Sequence, residues 1–174
     1  MHELMKRIKL IDERVFEAML DRRHPSADLL MRMLTHLGGA PFAILFVGLM
    51  MASQASPLAA VGREAAFALV ASHAFVQLLK RGIARRRPKL PMGFVPLVKA
   101  PDRFSFPSGH AAAALSIGLP LAENLPGRLG PIVLALAAVV GLSRCYLGIH
   151  YPCDVFVGWV LAAAAHVFDI VALP

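Results

Sequence analysis

From Met33 to Gly62 the chain carries no Asp, Glu, Lys or Arg, and a run that long without a charge has few folds open to it. A helix crossing the hydrocarbon core of a membrane needs about 20 apolar residues. Backbone in lipid must also satisfy its own hydrogen bonds, which restricts spanning structures to helices and closed barrels. The stretch SQASP at 53 to 57 divides the run into the end of one span and the start of the next. Further apolar segments follow, so the expected spans are 28 to 52, 57 to 80, 108 to 123, 128 to 148 and 152 to 173. Pro126 and Gly127 separate the third from the fourth, and Tyr151-Pro152 opens the fifth with a proline in its first turn, where the missing N–H is not needed. The composition, 57% hydrophobic with mean hydropathy +0.63, fits a membrane protein.

Ahead of the spans, Leu4, Ile8, Ile11, Val15 and Met19 recur at steps of three and four among Lys and Glu side chains. That is the period of an amphipathic helix, expected over 1 to 26 on the membrane surface. No leader is expected, because the N-terminus mixes acidic and basic residues and has no apolar core. The expected fold class is therefore all-α: an integral-membrane bundle of five transmembrane helices preceded by an amphipathic surface helix, in a single domain over 1–174. Cys145 and Cys153 are too few for a disulfide framework or a zinc site and are read as packing residues. The net charge of +7 does not point to nucleic acid, since the basic residues sit at the ends of apolar segments rather than across a soluble surface. The absence of an internal repeat leaves an inverted-repeat transporter without support.

One long polar loop, 81 to 107, is rich in proline and arginine, and connections of that length are functional or disordered. Counting crossings brings Lys80, this loop, the start of the third span, Arg144, His150 and Asp154 to one face of the membrane. Three clusters meet there. In KRGIARRRP, Lys80 and Arg87 are separated by six residues and followed by Pro88; in FPSGHAA, Ser108, Gly109 and His110 open a helix; in SRCYLGIHYPCD, Arg144 precedes His150 and Asp154.

Each cluster suits a phosphate. Ser108 is a good N-cap, Gly109 lets a ligand approach the backbone, and the free N–H groups of a helix start attract anions. Lys80, Arg87 and Arg144 supply positive charge, the arginines in bidentate form. His150 and Asp154 are four apart, so a helix starting near His150 puts both on one face, the carboxylate holding one ring nitrogen while the other points at phosphorus. His110 is then free to protonate a leaving oxygen. Plainer readings stand beside these. Arg81, Arg85, Arg86 and Lys89 read as headgroup-binding or topology-setting cations, His73 and His166 as packing or interfacial, and Arg144, His150 and Asp154 by themselves fit a structural ion-pair network.

Taken together, K-x6-R-P at 80 to 88, P-S-G-H at 107 to 110 and S-R-x5-H-x3-D at 143 to 154 resemble the three-part signature of the type 2 phosphatidic acid phosphatase superfamily, which includes vanadium haloperoxidases. The resemblance implies that Lys80, Arg87, Ser108, Gly109 and Arg144 bind the phosphoryl group. It further implies that His150 attacks phosphorus, Asp154 orients it, and His110 serves as acid and then as base for water. No metal or other cofactor is implied. The expected activity is removal of the terminal phosphate from a lipid phosphate or pyrophosphate in a prokaryotic cytoplasmic membrane, with membrane lipids as the surroundings. The alternatives are a haloperoxidase-like enzyme, a catalytically silent lipid-phosphate binder and a small transporter. Positive-inside reasoning puts the basic face in the cytoplasm, whereas many members of that family act on the outer face, so the side is left open.

Overall fold

A computed structural model describes residues 2–53 and 57–172; Gln54, Ala55 and Ser56 of the expected span break, the side chain of Leu4, and Pro174 lie outside the described residues. The described chain is all-helical: α1 His2–Leu20, α2 Pro25–Leu34, a 3-10 turn Thr35–Gly38, α3 Ala40–Ala52, α4 Pro57–Ile83, α5 Gly109–Asn124, α6 Leu129–Tyr146 and α7 Pro152–Ala172. Three of these, α4, α6 and α7, are long and apolar enough to cross a membrane. The α2 and α3 segments pass that test together, bent by 53° at the 3-10 turn, as a fourth. Proline in the first turn of α3 explains the break, because its ring cannot continue the preceding helix without losing a hydrogen bond. The 16 residues of α5 reach only roughly 24 Å at the helical rise, short of a full hydrocarbon core.

The short α5 is the hub, packed against α4, α6 and α7. Its buried positions are Ala111, Ala112, Ala113, Ala114, Ser116, Ile117, Gly118 and Pro120. Small side chains let neighbouring backbones come close, which is how helices associate where lipid removes the hydrophobic drive. Ala65 and Ala68 of α4, Ala137 of α6 and Gly158 of α7 meet it with equally small surfaces. Ser116 Oγ donates to the Ala68 carbonyl and lies 2.9 Å from Ser72 Oγ, tying α5 to α4. Cys145 is a buried core residue beside Ala111 and Val155, as expected of packing, and Cys153 is half-buried. His166 is buried against Glu123.

The N-terminal segment departs from its expected form. It is two elements, and the exposed row of α1 is Ile8, Ile11 and Val15, with Ile11 62% exposed. The buried row is Asp12, Phe16 and Leu20, one turn apart. The aliphatic row thus faces outward, while a charged side chain lies inward because its partner waits there: Asp12 has Arg85.

Close packing yields a contrast. A Cβ on Gly158 of α7 would sit 2.5 Å from the Ser108 carbonyl oxygen, whereas one on Gly48 of α3 would meet nothing within 4 Å. Gly158→Ala is expected to destabilise the protein by about 1–3 kcal/mol through overpacking, and Gly48→Ala to leave it as stable or slightly more so. Thermal unfolding of the detergent-solubilised variants measures both, and equal melting of the two would contradict the packing described.

Candidate active site

The three clusters come together at one end of the bundle. Lys80 reaches it from the last turns of α4, and α4 then ends at Ile83, with Ala84 at φ 47 reversing the chain into the loop. The loop is ordered by its own cross-ties: Ser105 N donates to the Arg85 carbonyl at 2.9 Å, Ser105 Oγ to the Arg86 carbonyl at 3.1 Å, and Leu97 N to the Leu147 carbonyl at 3.0 Å. These place Arg87 beside Asp102. Ser108 caps α5, its Oγ accepting from Ala111 N, while its own N–H donates to the Asp154 carbonyl at 2.8 Å. Gly109 and His110 follow in the first turn of α5.

At the end of α6 the chain must stop, turn and present His150. Gly148, at φ 85, supplies the left-handed residue that closes a helix C-terminus without a Cβ clash. The Arg144 carbonyl then accepts from both Ile149 N and His150 N, each at 3.2 Å. The five residues between Arg144 and His150 are thus the length of chain needed to end one helix and fold back over its last turn.

His150 is buried in this turn, ahead of Pro152, where α7 begins as the Tyr151-Pro152 break predicts. It still meets Asp154, because the carboxylate folds back over the turn. Asp154 Oδ2 accepts from Tyr151 N at 2.8 Å and lies 3.6 Å from His150 Nδ1, just too far for a hydrogen bond. The other ring nitrogen, Nε2, is 3.2 Å from Arg87 Nη1. A guanidinium only donates, so Nε2 accepts, which leaves the ring proton on Nδ1, toward the carboxylate. Burial, with the charges of Arg144 and Arg87 adding to it against the pull of Asp154, pushes His150 down to about 4, so the ring is neutral near pH 7, with the Nε2 lone pair turned to Arg87.

The cations are engaged by the protein itself. Lys80 Nζ donates to Asp102 Oδ2 at 2.6 Å, and Arg87 donates through Nη2 to Asp102 Oδ1 at 2.8 Å and through Nη1 to the Ile149 carbonyl. Arg144 is buried, bonded through Nη1 to the Thr35 hydroxyl, and its Nε has no partner among the described residues. A cavity of about 360 Å³ lies beside Lys80 and Asp102. One end is lined by Lys80, Asp102, His110 and His150, the other by Ala43, Ile44, Leu69 and Val70 of α3 and α4.

Four residues with a place in this network were not singled out in the sequence: Asp12, Thr35, Arg85 and Asp102. Arg85, grouped there with the surface cations, turns inward between Asp12 and Asp154. Of these only Asp102 carries a faint signal, as a carboxylate in a loop dominated by Lys and Arg; Thr35 and Asp12 reach the site only through the fold. Among the described residues, no three of His, Cys, Asp and Glu gather as a metal-ligand set.

The bundle and its end define a helical membrane protein that collects two histidines and three cations at one end, the histidines and Lys80 lining a cavity that continues between apolar side chains. The chain belongs to the PAP2 superfamily, whose family profile matches residues 62–171. Decaprenylphosphoryl-5-phosphoribose phosphatase of Mycobacterium tuberculosis is 40% identical over 94 residues, 53% of this chain and 50% of that one, so the match takes in about half the length of this curated relative. The crystal structure of LpxE from Aquifex aeolicus has the same fold, with a TM-score of 0.79 at 24% identity over 90% of this chain and 93% of that one. The transmembrane PAP2 type phosphatidylglycerolphosphate phosphatase from Bacillus subtilis aligns with a TM-score of 0.73 at 28% identity, over 94% of this chain and 86% of that one.

The Asp102 carboxyl carries a testable sign. Burial by itself raises it, but the hydrogen bond and charge of Lys80 and the charge of Arg87 outweigh that and hold it below the usual carboxylate value. A carboxyl lowered by folding contributes stability above its unfolded pKa and loses it as pH falls through the folded one. Wild type is therefore expected to melt higher than Asp102→Asn at neutral pH, the gap closing as pH falls below about 4. Melting curves against pH for both proteins test this; a gap independent of pH would show that the carboxylate's charge does not matter there.

Proposed function

We propose that this chain hydrolyses the terminal phosphate of a lipid phosphate or lipid pyrophosphate through a phosphohistidine intermediate. The observation that carries this is the state of His150: neutral, its proton held toward Asp154, its Nε2 lone pair facing the cations beside the cavity. His150 Nε2 attacks phosphorus, forming a P–N bond as the P–O bond to the lipid breaks, and His110 gives its proton to the departing oxygen. Water then attacks the phosphohistidine, passing a proton to His110, and inorganic phosphate leaves as the P–N bond breaks. Lys80, Arg87 and Arg144 stabilise the charge on the equatorial oxygens, joined by the Ser108 hydroxyl and the Gly109 N–H at the start of α5. The buried, unpartnered Nε of Arg144 supports this role, since a phosphoryl oxygen supplies the acceptor it lacks. Asp102 must yield Lys80 and Arg87 to the incoming phosphate.

The two-ended cavity supports a lipid substrate. Its apolar walls include Ile44 and Val70, both exposed on the outer surface of the bundle, so a tail remains among lipids while the headgroup reaches His150. The Mycobacterium tuberculosis and Bacillus subtilis relatives are named as phosphatases of two different lipids, and the phosphate group those share is the substrate class proposed here. Metal independence follows from a cradle of cations and hydrogen-bond donors, which does the charge neutralisation that a divalent ion would otherwise do. The five-span reading is retained: α5, ringed by α4, α6 and α7, meets little lipid along its sides and so tolerates a shorter length. The protein then sits in the cytoplasmic membrane of a prokaryote, with the exposed Ile8, Ile11 and Val15 row of α1 at the membrane interface.

Purified protein given a panel of lipid phosphates is expected to release phosphate from at least one, equally well in excess chelator, and to be inhibited by vanadate. His150→Ala should abolish release, and His110→Ala should slow it roughly a hundredfold or more. A phosphoenzyme trapped on any residue other than His150, or a loss to chelator that magnesium restores, overturns the mechanism.

Topology is tested separately. With single reporter cysteines at Ser26, Lys99 and Arg128, the first two are expected to share accessibility from outside intact cells and the third to differ. Unlike labelling at Ser26 and Lys99 would rule out five spans, and labelling of that pair from outside would place the site on the outer face.

A further inference from the structure

Arg85 stands between two carboxylates from opposite ends of the chain. Its Nη1 donates to Asp154 Oδ1 at 2.8 Å and its Nη2 to Asp12 Oδ2 at 2.6 Å. Both acids are buried, Asp12 with 3% exposure and Asp154 with none. The guanidinium lies over the Tyr151 ring, 4.2 Å from its centroid. Asp12 Oδ1 in turn accepts from Cys153 N at 2.8 Å, and Phe16, one turn on, packs against Tyr151 with ring centroids 5.2 Å apart. The surface helix α1 is thereby joined to Tyr151 and Cys153, which lie between His150 and Asp154.

We propose that Arg85 and Asp12 are positioning residues for the reaction: Asp12 of α1 fixes the Arg85 guanidinium, and Arg85 fixes the rotation of the Asp154 carboxylate so that Oδ2 faces His150 Nδ1. This rests on the roles proposed above for His150 and Asp154. A carboxylate turns freely about its last bond until one oxygen is held, and holding Oδ1 sets where Oδ2 points. An arginine suits the task because its planar fork offers two donors at a fixed angle to two acids, where a lysine offers a single point charge. Arg85 also compensates the charge of Asp154, which has no other cation in hydrogen-bonding contact among the described residues. Its geometry is specific to one position in the loop: the left-handed Ala84 turns Arg85 inward, while Arg81 and Arg86 on either side are exposed.

The test compares kcat and KM of the full-length protein on the best lipid of the panel for Arg85→Gln, Arg85→Lys, Asp12→Asn, the Arg85→Gln/Asp12→Asn double variant and the exposed control Arg86→Gln. Arg85→Gln is expected to lower kcat roughly tenfold or more, the range for a lost hydrogen bond to a charged group, with KM nearly unchanged and phosphoenzyme formation slowed in parallel. Arg85→Lys should recover part of the rate. Asp12→Asn should lower kcat less, and the double variant no further than Arg85→Gln, because the two act through one path. Arg86→Gln should match wild type. A rise in KM at constant kcat would make Arg85 a headgroup-binding cation and overturn the proposal, as would additive losses in the double variant. His150→Ala, run alongside, separates the two levels. If it still turns over, the proposed reaction fails; if it is dead while Arg85→Gln matches wild type, only the positioning role fails.

Discussion

A carboxylate with no exposed surface cannot remain ionised inside an apolar bundle unless its charge and its lone pairs are met. Asp154 is such a group, and much of the molecule's architecture at this end follows from meeting it. Arg85 supplies the charge, Tyr151 N–H one hydrogen bond, and the neutral His150 ring the remaining neighbour. Arg85 has further donors beyond those Asp154 uses, and Asp12 accepts from one of them. Because Asp12 sits on α1, a helix that otherwise presents an exposed aliphatic row, the N-terminal segment is held across the site by an ion pair as well as by Phe16 and Leu20.

The same reasoning explains why the bundle is built from small residues. The end of α5 must bring Ser108, Gly109 and His110 within reach of groups carried by α4, α6 and the turn before α7, and only Ala, Gly and Ser surfaces let the backbones come that close. The approach of Gly158 to the Ser108 carbonyl shows the tolerance at its tightest. Close packing here sets the spacing of the proposed phosphate site as well as stability. A cradle made of backbone N–H groups and long cations works only if its frame does not move.

Within that frame the positive charge is partly quenched by the protein's own acid. Asp102 lies against Lys80 and Arg87 as a substrate phosphate does in the proposed reaction, which keeps a buried and a half-buried cation from facing each other unpaired. Arg144 is handled differently: it is buried, with Thr35 as its hydroxyl partner and one N–H unmet among the described residues. In the proposed reaction one cationic pair exchanges partners when phosphate arrives and one guanidinium gains an acceptor.

The sequence by itself determined the helical membrane class, the boundaries of the longer helices to within a few residues, and the gathering of Lys80, Arg87, Ser108, Gly109, His110, Arg144, His150 and Asp154. These were legible because apolar length, proline and glycine breaks, and short-range spacing are local properties of a chain. It did not give the tight turn that holds His150 outside α7, which depends on a left-handed Gly148 and a shared Arg144 carbonyl. Nor did it separate Arg85 from the other cations of its loop, or assign Asp12, Thr35 and Asp102 to the site. Their significance depends on partners 15 to 141 positions away along the chain, and no periodicity encodes which charge will face which. Whether a charged side chain is a solvated surface group or part of a buried pair depends on what packs against it, and only the tertiary structure decides that.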